Sequence, residues 1–295
     1  MRVNPNPMPD LLEALNESQL ETQQAMLEIS SGRSVNQPSD NPTAAALLVE
    51  NNDQATFNSG YLQSIGTVQG QLSTADSTLS SVVTALQRAI SLGVEGANGT
   101  LSDSDRASIA NELQGIQSQL VSLANASYEG RYVFAGTNTN TPPFVVDNTV
   151  PSGVSYVGNT DVNQVAIGNG NKLTINQPGS QLFSAPGNDV FLAINNLIQA
   201  LQTNTGIGDA VTSLGAANSY LSGQRVFYGN AANQAQSQST YLNAAKPQIA
   251  QQQNTLGGAD LAAAATNLAR SQIDTQATLA TISKLTENNL FSYLK

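Results

Sequence analysis

Apolar residues in this chain recur in alternating steps of three and four over most of its length, and the phase of that recurrence changes at a few defined places. From Tyr61 the seam runs through Ile65, Val68, Leu72, Ala75, Leu79, Val82, Leu86 and Ala89, a heptad pattern sustained over four repeats. Proline bounds it. The 11 prolines leave uninterrupted blocks at 43–141, 187–246 and 248–295, and each proline removes a backbone donor and clashes with the helical turn before it. The pattern predicts one helix from near Pro42 to Glu95, about 80 Å long at 1.5 Å per residue, far longer than a single globular domain requires. It predicts a break at GVEGANGTLSDSD, where Gly93, Gly96, Asn98 and Gly99 favour a turn and Ser102 with Asp105 resembles a helix N-cap. A second seam, Ile109, Leu113, Ile116, Leu120 and Leu123, then folds back as an antiparallel helical hairpin.

The two ends of the chain repeat the spacing more faintly. Met8, Leu11, Leu15, Ser18, Thr22, Ala25 and Ile29 form one seam; Leu261, Ala265, Leu268, Gln272, Thr275, Leu279 and Ile282 form the other. Ser, Thr and Gln at seam positions bury too little to stabilise either helix alone. Both ends are therefore expected to need each other, or other copies of the protein, to be buried. Met8 to Ile29 and Leu261 to Leu294 are expected to be mobile in a monomer and ordered against neighbours. The PSDNP segment, Pro38 to Pro42, is expected to cap the next helix through Asp40 or Asn41 and to act as a hinge.

Between Arg131 and Ala185 the period drops toward two. Tyr132 and Phe134 can face opposite to Arg131 and Val133, and AIGNGNKL offers a hairpin turn between Val165, Ile167 and Leu173, Ile175. Tyr132, Val133, Phe134 and Phe144 read as the core of this small β-rich insertion, and Gly130 and Gly136 as sites of tight turns. Arg131 either pairs with a carboxylate or lies on a subunit face. Val190, Phe191, Ile194, Leu197, Ile198 and Leu201 then mark a short amphipathic helix, and helix returns from about Asp209 to Ala245, with Lys246-Pro247 kinking or ending it.

Composition narrows the chemistry. The 295 residues contain no Cys, His or Trp and carry a formal net charge of −10, with 11 Lys and Arg against 21 Asp and Glu. Catalytic triads, cysteine nucleophiles and thiolate or imidazole zinc sites cannot be assembled from such a chain. Phosphate backbones and anionic membranes are repelled by most of its surface. Glu50, Asp53, Asp76, Glu95, Glu112, Glu129, Asp189 and Asp209 are scattered and read as solvated surface, without a close pair for acid and base work. No enzyme activity, cofactor or metal is expected. The start, MRVNPNPMPDLLEAL, carries prolines where a cleaved signal has an apolar core, so a cleaved signal peptide is not expected. No window approaches the ~18–20 apolar residues of a membrane span.

Leu86 to Leu120, with LQR, ANGT, SDSDR and the IxxEL helix, resembles the rod segment of bacterial flagellin, and ISSGRSVNQPSDNPTAAAL, Ile29 to Leu47, resembles an earlier region of the same family. GRYVFAGTNTNTPPF, with Gly130, Arg131, Tyr132, Phe134 and Gly136, resembles the signature of the hook-associated protein 3 family, the flagellin-like proteins between hook and filament; the ending NNLFSYLK is also similar to theirs. The resemblance implies a mainly α, flagellin-like fold, a long antiparallel helical rod or coiled coil with paired N- and C-terminal helices and a small β-rich insertion. It implies a terminal coiled-coil domain at 1–38 and 258–295, a rod at 39–130 and 186–257, and an outward β-rich domain at 131–185. It further implies an extracellular axial protein of the bacterial flagellum, exported unfolded by the flagellar type III apparatus with an export chaperone and self-associating in a ring. Hook-associated protein 1 and flagellin are the implied neighbours. Met8, Leu11, Leu15, Met26, Ile29, Leu261, Leu268, Leu279, Ile282, Leu290, Phe291 and Leu294 are the expected assembly interface. A filament flagellin with a small outer domain is the alternative. Arg88, Leu92 and Glu112 align with a flagellin surface bound by an innate immune receptor, which burial in a junction would hide.

Overall fold

The seam from Ile65 to Ala89 is buried along its whole length in the computed structural model, which describes residues 7–287. The secondary structure is dominated by helices: α1 (Met8–Ser31), α2 (Pro42–Gly96), α3 (Asp103–Ala124), α4 (Gly179–Leu182), α5 (Val190–Thr203), α6 (Ile207–Gly257) and α7 (Leu261–Glu287). Four two-stranded antiparallel pairs interrupt them. These are β1 (Ser127–Tyr128) with β2 (Arg131–Tyr132), β3 (Phe144–Val146) with β4 (Val154–Tyr156), β5 (Gln164–Gly168) with β6 (Asn171–Thr174), and β7 (Ser184–Ala185) with β8 (Asn188–Asp189). The chain divides into two compact units. One joins the residues up to Phe57 to those from Ala244 onward; the other runs from Asn58 to Asn243.

In the second unit the α2 seam meets Ile109, Leu113, Ile116 and Leu120 of α3, the apolar face of α5, and a run of small and large residues on α6 that includes Leu214, Ala217, Leu221 and Ala235. The α2–α3 hairpin turns where expected, and Ser102 and Asp105 close a full capping box: the Asp105 amide donates to Ser102 Oγ, and the Ser102 amide donates to the Asp105 carboxylate. The Ser102 hydroxyl, 2.6 Å from Asp105 Oδ2, and then the Ser102 amide hold the Asp105 carboxyl below its ordinary range. Gly93 and Gly96, expected in the turn, lie inside α2 instead. A Cβ on Gly93 would come within 2.6 Å of Val211 Cγ2, and one on Gly96 would run into Leu201, so these glycines let neighbouring helices approach.

The insertion is stapled by asparagines. Asn125, at the end of α3, donates through Nδ2 to the Phe144 carbonyl at 2.8 Å and accepts from the Phe144 amide through Oδ1 at 2.9 Å. Asn176 is fully buried, accepts from the Asn163 amide at 2.6 Å and donates to the Gly136 carbonyl at 3.2 Å. Asn163 donates to that same carbonyl at 2.9 Å. Side-chain amides thus replace the ladder partners that such short strands lack.

Expectations for four other places change or narrow. The strand at 131 ends after Tyr132, and Val133, Phe134, Ala135 and Gly136 are buried in succession, because the chain turns into the core and leaves no exposed alternate face. Pro247 does not end α6, which continues to Gly257. Asp76 and Asp189 are not merely solvated: Asp76 takes both ends of the Arg225 guanidinium at 2.9 and 3.0 Å, and Asp189 caps α5 by accepting from the Leu192 amide at 2.8 Å.

Candidate assembly interface at the chain ends

The base of the first unit is a short, fully bonded junction. α1 stops at Gly32, whose φ of +67° suits a residue without Cβ and whose amide donates to the Glu28 carbonyl at 2.9 Å. Arg33 then bridges Gly258: the Ser34 amide donates to the Gly257 carbonyl at 2.8 Å, and the Ala259 amide donates to the Gly32 carbonyl at 3.0 Å. Asp40 accepts from the amides of Asn36 and Gln37 at 2.9 and 2.8 Å, so it holds the loop, and Asn41 Oδ1 caps α2 by accepting from the Ala44 amide at 3.0 Å. Asp260 caps α7 through the amides of Ala262 and Ala263. Because α1 ends and α7 begins at this one place, the two helices run antiparallel and pair along their length.

The middle of the seam is small and hydroxylic, flanked by larger apolar residues. On α1 the inward positions are Met8, Leu11, Leu15, Ser18, Thr22 and Ala25, as the spacing predicts, but Ile29, expected on the same seam, is exposed and Glu28 is half-buried beside it. On α7 they are Ala264, Leu268, Ser271, Thr275, Thr278 and Ile282. Leu268, Thr275 and Ile282 fall where expected, but Leu261, Ala265, Gln272 and Leu279 face outward. Ser271 is 1% exposed while Leu279 is 49% exposed, which decides the phase. The physical reason is hydrogen bonding across the pair. Ser18 Oγ donates to the Ser271 carbonyl at 2.7 Å and lies 2.8 Å from Thr275 Oγ1, while Thr22 Oγ1 is 3.0 Å from Ser271 Oγ.

Several large apolar side chains therefore stand outside. Leu12, Leu20, Met26, Leu27 and Ile29 on α1, and Leu261, Ile273, Leu279 and Leu285 on α7, are all exposed. At 100° per residue Leu12, Leu20 and Leu27 share one face of α1. Asp10, Glu13, Glu17, Glu21 and Glu28 occupy another, and no basic residue falls between Met8 and Ser31. Three faces result: hydroxyl seam, leucine face and acidic face. Of the residues expected to assemble, Met8, Leu11, Leu15, Leu268 and Ile282 lie on or beside the seam, whereas Met26, Ile29, Leu261 and Leu279 are available to neighbours. Leu290, Phe291 and Leu294 lie outside the described residues.

The motif at 130–136 is built differently. Glu129 (φ 49°) and Gly130 (φ 76°) make a two-residue hairpin turn with both φ positive, placing Tyr128 opposite Arg131. Arg131 is exposed and forms none of the ion pairs found among the described residues. Phe134 is fully buried against Phe183, and its carbonyl accepts from the Gly179 amide at 2.7 Å. Arg88 and Glu112 form an exposed ion pair at 2.7 Å. Among the described residues no group of carboxylates is placed to hold a metal ion, and no helix is long and apolar enough to cross a membrane.

Two family models match the chain: the bacterial flagellin N-terminal helical region over residues 7–139 and the bacterial flagellin C-terminal helical region over residues 205–294. The flagellar hook-associated proteins 3 of Salmonella typhimurium and Escherichia coli are 41% and 40% identical to it over 134 residues. That stretch is 45% of this chain and 42% of each relative, so the match spans less than half the length of either. Among solved structures, a Vibrio parahaemolyticus chain described as a flagellar hook-associated protein has a TM-score of 0.67 at 22% identity, covering 74% of this chain and 100% of that one. Flagellar hook associated protein-3 from Legionella pneumophila has a TM-score of 0.63 at 14% identity, covering 72% and 98%. At those identities the likeness is one of fold.

Proposed function

This chain belongs to the bacterial flagellin family, and we propose that within it the protein is the structural subunit that joins the flagellar hook to the filament. The observation that carries the proposal is the terminal pair: the middle of its seam is closed by hydroxyls while Leu12, Leu20, Leu27, Leu261 and Leu279 stand in solvent, an arrangement that suits a surface covered by other subunits. Likeness to hook-associated protein 3 over 134 residues supports the junction over the filament, as does the GRYVFAGT stretch entering a small insertion. In this reading residues 1–38 and 258–295 assemble as the inner layer, 39–130 with 186–257 form the rod, and 131–185 faces outward. The subunit leaves the cell unfolded through the flagellar export apparatus, escorted by a chaperone, and closes a ring between hook-associated protein 1 and flagellin. Its carboxylates cap helices and pair with arginine; it catalyses nothing.

Deleting the gene in its own organism tests this. The expected phenotype is completed hooks without filaments, with flagellin monomer released into the medium. Loss of the bulk flagellin itself would mean that the chain is a filament subunit and would overturn the proposal. Amide exchange tests the role of the ends: 8–29 and 261–287 are expected to exchange fast in the monomer and slowly once assembled. Strong protection in the monomer would show that neighbours are not what orders them.

A further inference from the structure

Apolar seams at heptad spacing are degenerate, because sliding one helix by a heptad brings similar residues back into contact. The α1–α7 seam is of that kind at most of its positions. One part of it is not. Ser18, 6% exposed, and Ser271, 1% exposed, are buried polar residues in a seam whose other members are apolar or only partly covered. They form a closed set with Thr22 and Thr275. Ser18 Oγ reaches the Ser271 carbonyl at 2.7 Å and Thr275 Oγ1 at 2.8 Å; Thr22 Oγ1 reaches Ser271 Oγ at 3.0 Å and its own Ser18 carbonyl at 2.8 Å. Thr275 Oγ1 donates to the Ser271 carbonyl at 2.8 Å.

We propose that these four hydroxyls are the register-determining residues of the terminal helix pair. In the observed register Thr22 opposes Ser271 and Ser18 opposes Thr275. Sliding by one heptad in one direction sets Ser18 against Ile282, and in the other sets it against Leu268, so the cross-helix bonds of Ser18 and Ser271 are lost and Ser18 stays buried beside an alkyl group. A polar seam position of this type selects one alignment at a cost in strength. It also sets where the leucines point. Short hydroxyl side chains occupy the inward face, so Leu12, Leu20 and Leu27 on α1 and Ile273 and Leu279 on α7 remain outside and correctly staggered for whatever covers them.

The chain lacks cysteine, so engineered thiols report the register without interference. Leu15 and Thr278 are seam neighbours in the observed alignment; Leu15 and Leu285 become neighbours after a one-heptad slide. The full chain carrying L15C with T278C, or L15C with L285C, is oxidised at low concentration and the intramolecular disulfide is measured by peptide mass spectrometry. With the natural seam the 15–278 link is expected to dominate. Replacing the four hydroxyls by their isosteres, S18A, T22V, S271A and T275V, is expected to raise the 15–285 link relative to 15–278 by about tenfold, the scale set by one unpaired buried hydroxyl. An apolar control, L268A, is expected to slow both links without changing their ratio. An unchanged ratio in the isostere background overturns the proposal; so does loss of both links there, which would make the hydroxyls a source of strength and not of register. The measurement uses the isolated chain, where oxidation traps even a pair that opens rapidly, so its result is independent of the junction reading.

Discussion

Replacing Phe134 with alanine separates core filling from surface contact in the GRYVFAGT motif. The ring is fully buried and stands edge-on to Phe183 with centroids 5.3 Å apart. Phe183 stands edge-on to Phe144 at 5.4 Å, and Phe144 packs against Phe191 at 5.3 Å and Tyr156 at 5.1 Å, so the loss is felt by a connected aromatic cluster. Truncating a buried phenylalanine to alanine costs about 3–5 kcal/mol, of which roughly 0.5–1.5 kcal/mol belongs to the edge-to-face contact. With a urea dependence of about 2–3 kcal/mol per M, the unfolding midpoint should fall by roughly 1–2 M. Phe134→Leu keeps most of the volume and should cost about 1–2 kcal/mol. The backbone bonds from the Gly179 amide and the Tyr156 hydroxyl to the Phe134 carbonyl survive either change. The assay is a urea titration of the purified chain followed by tyrosine fluorescence, which is clean because there is no tryptophan and because Tyr156 and Tyr228 belong to the same compact unit. An alanine variant whose midpoint stays within roughly 0.3 M of the parent, yet which fails to assemble, would refute the reasoning: the ring would then be a contact for another subunit.

The two motif glycines should differ. Gly130→Ala (φ +76°) meets open space and should cost about 1 kcal/mol, whereas Gly136→Ala (φ +72°) also drives its Cβ into Asn159 and should cost at least about 2 kcal/mol; equal melting shifts would contradict this. Asp189 has its carboxyl pushed above its ordinary value of 3.8 by burial, against the opposing bond from Leu192. Its stabilising contribution is therefore fully present below pH 3.8 and is lost as pH rises through the raised folded value. Asp189→Asn keeps the cap and removes the titration, so its stability relative to the parent should increase from acid toward neutral pH, and a constant difference across denaturation curves would count against the account. Asp76→Ala breaks a half-exposed bidentate pair and should cost less than about 1 kcal/mol, shrinking further in high salt; a salt-independent loss would mean that the pair acts through packing.

The long seam of α2 was legible because its positions are strongly apolar and its partners, on α3, α5 and α6, belong to the same chain. Burial and periodicity then give the same answer. The capping box at Ser102 was legible for a similar reason, since both halves of it lie within one turn. The insertion was less so: strands of two to five residues carry little period, and what holds them is the pairing of Asn125, Asn163 and Asn176 with distant backbone, which residue spacing does not encode. Gly93 and Gly96 misled in another way, because a glycine that permits a turn and one that admits a neighbouring Leu look alike in one dimension. The C-terminal helix is the instructive case. Choosing its inward face by apolar content selects Leu261 and Leu279, and the structure turns those outward in favour of Ser271 and Thr278. Apolar content measures the tendency to leave water, and it identifies the inward face only when every partner is present in the chain being read. Where the middle of a helix pair is closed by hydroxyls while Leu12, Leu20, Leu27 and Leu279 are left in solvent, the proposed assembly supplies the covering partners from other molecules, so the position at which the periodic rule fails is the position at which to test for assembly.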